Sequence, residues 1–140
     1  MKTLTVSRAT AGFIARGHPW VRPDRFTRGL DQLRAGDEVV LIDEHGRELA
    51  SALADPGAAV CARVYDRRPG VPFAPVEAFA RAWTARAAMH ADPATDCYRV
   101  VHGDADGLPG LRVERYGAVL VVLELSGCIA AATELVARAA

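Results

Sequence analysis

The apolar residues of the chain fall into short runs separated by glycine and proline, and the spacing within each run predicts an element. "TLTVS" (3–7) reads as a short opening strand, and "RATAGFIARG" (8–17) as a short helix ended by Gly17. "HPWVRPDRFTRGL" (18–30) carries two prolines and is expected to be loop or sheet edge. Val39, Val40, Leu41 and Ile42 form a solid apolar run, expected as a buried strand. "DEHG" (43–46) supplies a turn, and "RELASALA" (47–54) returns to a second turn at "DPG" (55–57). "AAVCARVYDRR" (58–68) is a third strand, closed by the loop "RRPGVPFAP" (67–75). Several short strands joined by glycine turns within about 65 residues predict a small β-barrel, its one helical segment plugging an end.

Beyond residue 75 the period changes. Val76, Phe79, Trp83 and Ala87 recur at helical spacing with arginines between them, so an amphipathic helix is expected over 75–91, with Trp83 in the core. "DPATD" (92–96) breaks it. Three strand candidates follow: "CYRVVHG" (97–103), "GLRVERYG" (110–117) and "AVLVVLEL" (118–125). "SGCIAAATELVARAA" (126–140) then reads as an alanine-rich helix with Ser126 as N-cap and Ile129, Leu135 and Val136 as its large apolar residues. The pattern runs out inside that helix without a C-capping glycine, so the expectation is an α+β unit cut before its sheet is finished. The expected fold class is thus mixed β and α+β. A β-barrel at 1–68 is followed by a linker with an amphipathic helix at 69–96 and a partial α+β domain at 97–140. An unfinished sheet leaves 118–125 as an edge strand able to pair with a second copy of the chain.

Composition narrows the partner more than the fold. Of 140 residues 51% are hydrophobic, enough for a buried core. Seventeen basic and seventeen acidic residues cancel, but unevenly along the chain. Residues 1–34 hold Lys2, Arg8, Arg16, Arg22, Arg25, Arg28 and Arg34 against Asp24 and Asp31, whereas from residue 71 onward acids outnumber arginines. A basic first third on a neutral chain points to an anionic partner, with solvated surface arginines as the plain alternative. Cys61, Cys97 and Cys128 are widely separated, with no CxxC pair and no histidine at ligand spacing. Neither a zinc site nor a disulfide framework is expected, and a reducing cytoplasm is. No run is long enough to span a bilayer, so no membrane partner is expected.

The chemistry-bearing motifs are few. There is no GxGxxG after a strand, no GxxxxGK[ST], no HExxH and no GxSxG. Asp104 and Asp106 with His102 lack the further oxygen ligands of a calcium loop, so no metal is expected. In "DADGLPG", aspartates suit turn starts, Gly107 and Gly110 permit positive φ, and Pro109 fixes one dihedral, which reads as chain reversal. Backbone N–H groups in such a turn can also meet a phosphate. The second stretch is "ARGHPWVRPDRF" (15–26). Arg16, Arg22 and Arg25 can pair with phosphates while His18 and Trp20 offer flat surfaces. Trp20 taken alone is expected in the core, and the arginine cluster on RNA.

Three segments stand in a recognisable order: "RGHPWV" (16–21), "GDEVVLIDEHGRELASALADP" (36–56) and "YRVVHGDADGLPGLRVERYG" (98–117). Together they resemble the N-terminal portion of the PUA-containing class I 23S ribosomal RNA cytosine-C5 methyltransferases. The resemblance covers nearly the whole chain and implies a PUA barrel followed by the start of a central α+β domain. It implies RNA binding, probed best at Arg16, His18, Arg22, Arg25 and Arg28, with structured RNA, and 23S rRNA in particular, as partner. It also implies that His102, Asp104, Asp106, Gly107, Pro109 and Gly110 form a turn facing the place where a catalytic domain docks. In that family the S-adenosylmethionine site and the catalytic cysteine lie in later segments, so no cofactor and no catalytic residue is carried over to this chain. The function expected is an RNA-binding module that is not catalytic alone. The alternatives are the recognition subunit of a split methyltransferase, with the catalytic domain supplied in trans, or a remnant without RNA affinity. This sequence departs from the family at Arg22, where an aromatic usually follows "PWV". It departs again at "ALADP", where Ala54 lacks an aromatic and Asp55 replaces an asparagine.

Overall fold

A computed structural model describes residues 1–140, which divide into two compact units, Met1–Phe73 and Ala74–Ala140. The first unit contains β1 (Lys2–Thr5), α1 (Arg8–Ala15), β2 (Trp20–Val21), β3 (Glu38–Ile42), β4 (Glu48–Ala54) and β5 (Ala62–Asp66). Its sheet has the order β1-β3-β4-β5-β2. β1 lies parallel to β3, with Leu4 beside Leu41, and every other pairing is antiparallel. A single bridge, Thr5 to Arg28, ties the β1 edge to the loop that follows β2. Through it the sheet curls back toward its own start.

The core of this unit is built from small aliphatic residues. Leu4, Val6, Ala11, Ile14, Val21, Val39, Leu41 and Val64 pack with Ala50, Ala52 and Ala54 of β4. Those three alanines lie on one side of β4, where their small Cβ groups let α1 rest close against the strand. β4 is buried on its other side too. Ser51, fully buried, donates from Oγ to the Arg68 carbonyl at 2.8 Å and accepts the Val71 N–H at 3.0 Å. α1 is capped by Ser7, whose Oγ accepts the Thr10 N–H at 3.3 Å.

The second unit contains α2 (Pro75–Ala85), α3 (Ala87–Ala91), β6 (Cys97–His102), β7 (Leu111–Tyr116), β8 (Val119–Glu124) and α4 (Ala130–Ala139). Its sheet is antiparallel in the order β6-β7-β8, and α2 packs on β6 and α4. Several expectations need correction. The helix expected as part of a linker belongs to this unit, because Ala78, Phe79 and Ala82 bury against it. Val76 and Ala87, expected on the apolar face, are exposed: the contact surface is built on alanines, so the larger apolar residues misplace the stripe. The helix also breaks at Arg86, where α3 begins, and Trp83 is only half-buried, its ring stacked on His90 at 4.1 Å. Ser126 precedes a 3-10 turn at Gly127–Ile129, and its hydroxyl reaches Cys128 Sγ at 3.3 Å without capping a backbone N–H. Ile129 and Val136 are fully buried, and Leu135 is exposed. No helix is long and apolar enough to cross a membrane.

Candidate nucleic-acid interface

The stretch between α1 and β3 is arranged by a few backbone contacts. The helix ends at Gly17, whose φ of +97° turns the chain away from the helix axis. A Cβ there would lie 2.1 Å from Arg67 Nη2, so the Arg67 guanidinium rests directly on the Gly17 backbone. The segment then runs beside β5. The Pro19 carbonyl accepts the Val64 N–H and the Val21 carbonyl accepts the Cys61 N–H, each at 2.8 Å. In this register Trp20 is opposite Arg63 and Val21 opposite Ala62. Val21 and Ala62 point into the core, which sends Trp20 and Arg63 outward together. Trp20 is therefore not a core residue, contrary to the sequence-based expectation: the register against β5, with Val21 buried beside Ala62, places it outside.

A connected surface cluster results. The His18 ring is 5.8 Å from Trp20, edge to face, and 6.1 Å from Phe13. Its Nδ1 accepts the Trp20 N–H at 3.2 Å, which holds the imidazole in place. The Arg63 guanidinium lies over the indole at 5.3 Å, and that of Arg16 over the Phe13 ring at 5.0 Å. The loop after β2 repeats the pattern with Arg25 over Phe26 at 4.7 Å. Asp24 organises that loop, accepting the N–H groups of Phe26 and Thr27. The Ser7 hydroxyl, together with those N–H groups, holds its carboxyl below the usual carboxylate range. Arg28 turns its Nη1 onto the carbonyls of Arg25, at 2.7 Å, and Thr27, at 3.1 Å. Arg22 is exposed, and Arg16, Arg22, Arg25 and Arg67 enter no ion pair.

Of the residues expected from sequence, Arg16 and His18 come together, Arg25 and Arg28 share a loop, and Arg22 lies at its start. Phe13, Phe26, Arg63 and Arg67 were not anticipated. The placement of Arg63 between Ala62 and Val64 marks it as outward-facing, but only the register with β2 reveals its partner.

The turn at 102–110 is filled by its own unit. His102 is exposed and donates its N–H to Asp106 Oδ2 at 2.7 Å. Asp106 accepts two hydrogen bonds from the Arg86 guanidinium, each 2.8 Å. Half-buried Asp104 accepts the Gly107 N–H through its backbone carbonyl. Leu108, Pro109 and Gly110 are buried, and the Gly110 carbonyl accepts the Leu125 N–H at 2.7 Å. Gly110 has φ +76°, and a Cβ on it would come within 2.6 Å of Ser126 Cβ. Nowhere do three or more histidine, cysteine or acidic residues gather as a metal ion would require.

Residues 4–67 match the family model described as a PUA-like domain. The chain is 30% identical over 126 residues to ribosomal RNA large subunit methyltransferase I of Klebsiella pneumoniae, covering 88% of this chain and 32% of that protein. It is 36% identical over 131 residues to a ribosomal RNA large subunit methyltransferase of Deinococcus radiodurans, covering 85% and 31%. It spans about a third of the length of these curated relatives. A solved structure from Streptococcus mutans, described as "a putative sam-dependent methyltransferase", superposes with a TM-score of 0.81 at 16% identity, over 99% of this chain and 37% of that one. Residues 4–67 are thus a PUA-like domain, and the chain is homologous to the N-terminal region of the ribosomal RNA large subunit methyltransferase I proteins.

Proposed function

We propose that these residues are the RNA-binding portion of a SAM-dependent 23S rRNA cytosine-C5 methyltransferase, acting in the cytoplasm, with the first unit as the contact surface. The observation that carries this reading is the run of exposed arginines between α1 and β3, free of ion pairs and interleaved with aromatic rings, on a PUA-like domain. Guanidinium groups without acidic partners pair with phosphates and release counterions, the sequence-independent part of RNA affinity. Arg16, Arg22 and Arg25 supply most of it, with His18 beside them. Arg28 contributes less, since part of its guanidinium is engaged by carbonyls of its own loop.

Recognition and chemistry separate here. C5 methylation of a pyrimidine through a cysteine needs a thiolate. Burial pushes the Cys61 thiol up to about 11 and Cys128 is buried as well, while Cys97 is exposed on β6. S-adenosylmethionine does not fit the residues present either. The glycine-dense turn at 103–110 spends the N–H groups of Gly107, Leu108 and Leu111 on its own carbonyls, and its later half is buried. The role proposed for that turn is to hold the second unit in shape for docking a catalytic domain.

The test is binding to a structured 23S rRNA fragment as a function of salt. Replacing Arg16, Arg22, Arg25 and Arg28 together by alanine is expected to reduce the slope of log K against log salt by roughly 3. If the wild-type chain binds no better at low salt than a neutral control protein, the reading fails.

A further inference from the structure

The first unit keeps its aromatic rings out of its core. The central cluster consists of aliphatic residues and Cys61, with no ring among them. Tyr65 and Phe73 pack on each other at 4.9 Å near the end of the unit. The other three rings are exposed: Phe13 at 52%, Trp20 at 38% and Phe26 at 44%. Apart from Met1 they are the only large apolar side chains this unit exposes. Each carries an arginine guanidinium over its ring, at 5.0, 5.3 and 4.7 Å. Exposing an aromatic ring forgoes burial energy, and three such rings, each paired with a cation, form one repeated device.

From this we propose that the surface binds unpaired bases, stacking them on the Trp20, Phe13 and Phe26 platforms while Arg16 and Arg25 take the neighbouring phosphates. The inference rests on the RNA-binding reading and narrows it. A duplex hides the faces of its bases and offers only edges and phosphates, so exposed rings add nothing to duplex binding. A loop, bulge or single strand presents faces, and a ring–guanidinium pair serves both halves of each nucleotide. Every base has a π face. The preference for unpaired over paired RNA therefore exceeds any preference among the four bases.

The experiment uses the full 140-residue chain with Trp83→Phe, which leaves Trp20 as the sole tryptophan. A uridine oligonucleotide and a blunt RNA duplex of equal phosphate number are titrated at the same low salt. The oligonucleotide is expected to quench Trp20 fluorescence and to bind more tightly than the duplex. Trp20→Ala is expected to weaken oligonucleotide binding about tenfold and leave duplex binding unchanged, with Trp20→Phe recovering most of the loss. Phe26→Ala, in a separate loop, is expected to act in the same direction, so the result does not hang on one variant's folding. Equal affinities for the two RNAs, with Trp20→Ala changing neither, would overturn base stacking and leave RNA binding standing. Failure of both RNAs to bind would remove the RNA-binding reading itself, and this inference with it.

Discussion

Lys2 and Asp37 join the first strand to the turn before β3, with Nζ 2.6 Å from Oδ2, and the same carboxylate accepts the Arg34 N–H at 2.9 Å. The Lys2 hydrogen bond, followed by the Arg34 N–H, holds the Asp37 carboxyl below its ordinary value of 3.8. A depressed native pKa means the unfolded chain binds the proton more readily. The stabilisation is therefore complete above the ordinary carboxylate value and is lost as pH falls from there through the depressed native value. Asp37→Asn is expected to lower the urea midpoint at pH 7, with the gap to wild type narrowing as pH falls below the ordinary carboxylate value. A gap that does not narrow as pH falls would show that charge at Asp37 is irrelevant. At the same scale, the candidate interface is only partly legible in the sequence. Arg16, Arg22, Arg25 and Arg28 announce themselves as a charge excess in one stretch of chain. Arg63 and Arg67 join from β5 and the loop beyond it, through a register that local pattern does not encode. Trp20 stands in a strand of two residues, too short for alternation to declare which way its side chain points.

At the scale of elements, the pair Arg86–Asp106 does what no cap does: it fixes the break between α2 and α3 to the 3-10 turn that follows β6. Its side chains are 15% and 14% exposed, so the charges are largely removed from water. Asp106 also holds the His102 N–H, giving that carboxylate three donors. Removing either partner leaves the other charge stranded, so Arg86→Ala and Asp106→Ala are each expected to cost about 3 kcal/mol. The double variant should cost clearly less than the two together, and a denaturation double-mutant cycle measures the difference. Additive losses would mean the two side chains act separately. The individual strands were legible because apolar runs bounded by glycine turns are a local signal. The order β1-β3-β4-β5-β2 was not, since it places β2 at the far edge through pairings of distant segments. The helix break was hidden for a related reason: the partner that holds Arg86 there is Asp106, twenty residues further along the chain.

At the scale of the molecule, the sequence places the end of the first domain at residue 68, where the β pattern stops, whereas the compact unit runs to Phe73. The difference of five residues is energetic. Val71 donates its N–H to the Ser51 hydroxyl, which is fully buried, and its carbonyl accepts from Tyr65 Oη at 2.6 Å. The Phe73 N–H is bound to Glu38 Oε2 at 2.9 Å, and the Phe73 ring packs on Tyr65. Burial, with Glu38 nearby, raises the Tyr65 phenol above its ordinary pKa, so it stays protonated and keeps donating. These polar partners follow a run, "RRPGVPF", whose composition signals only a loop. A fragment 1–73 is expected to unfold cooperatively on its own, having its own core and sheet. A fragment 1–68 should be less stable by about 2 kcal/mol, since it takes the Val71 N–H from Ser51 and the Phe73 N–H from Glu38, and bares the Tyr65 ring. Urea denaturation followed by circular dichroism compares the two. Superimposable curves would mean that residues 69–73 merely lie on the sheet, and a 1–73 fragment without a cooperative transition would mean that the unit is compact but not independently stable.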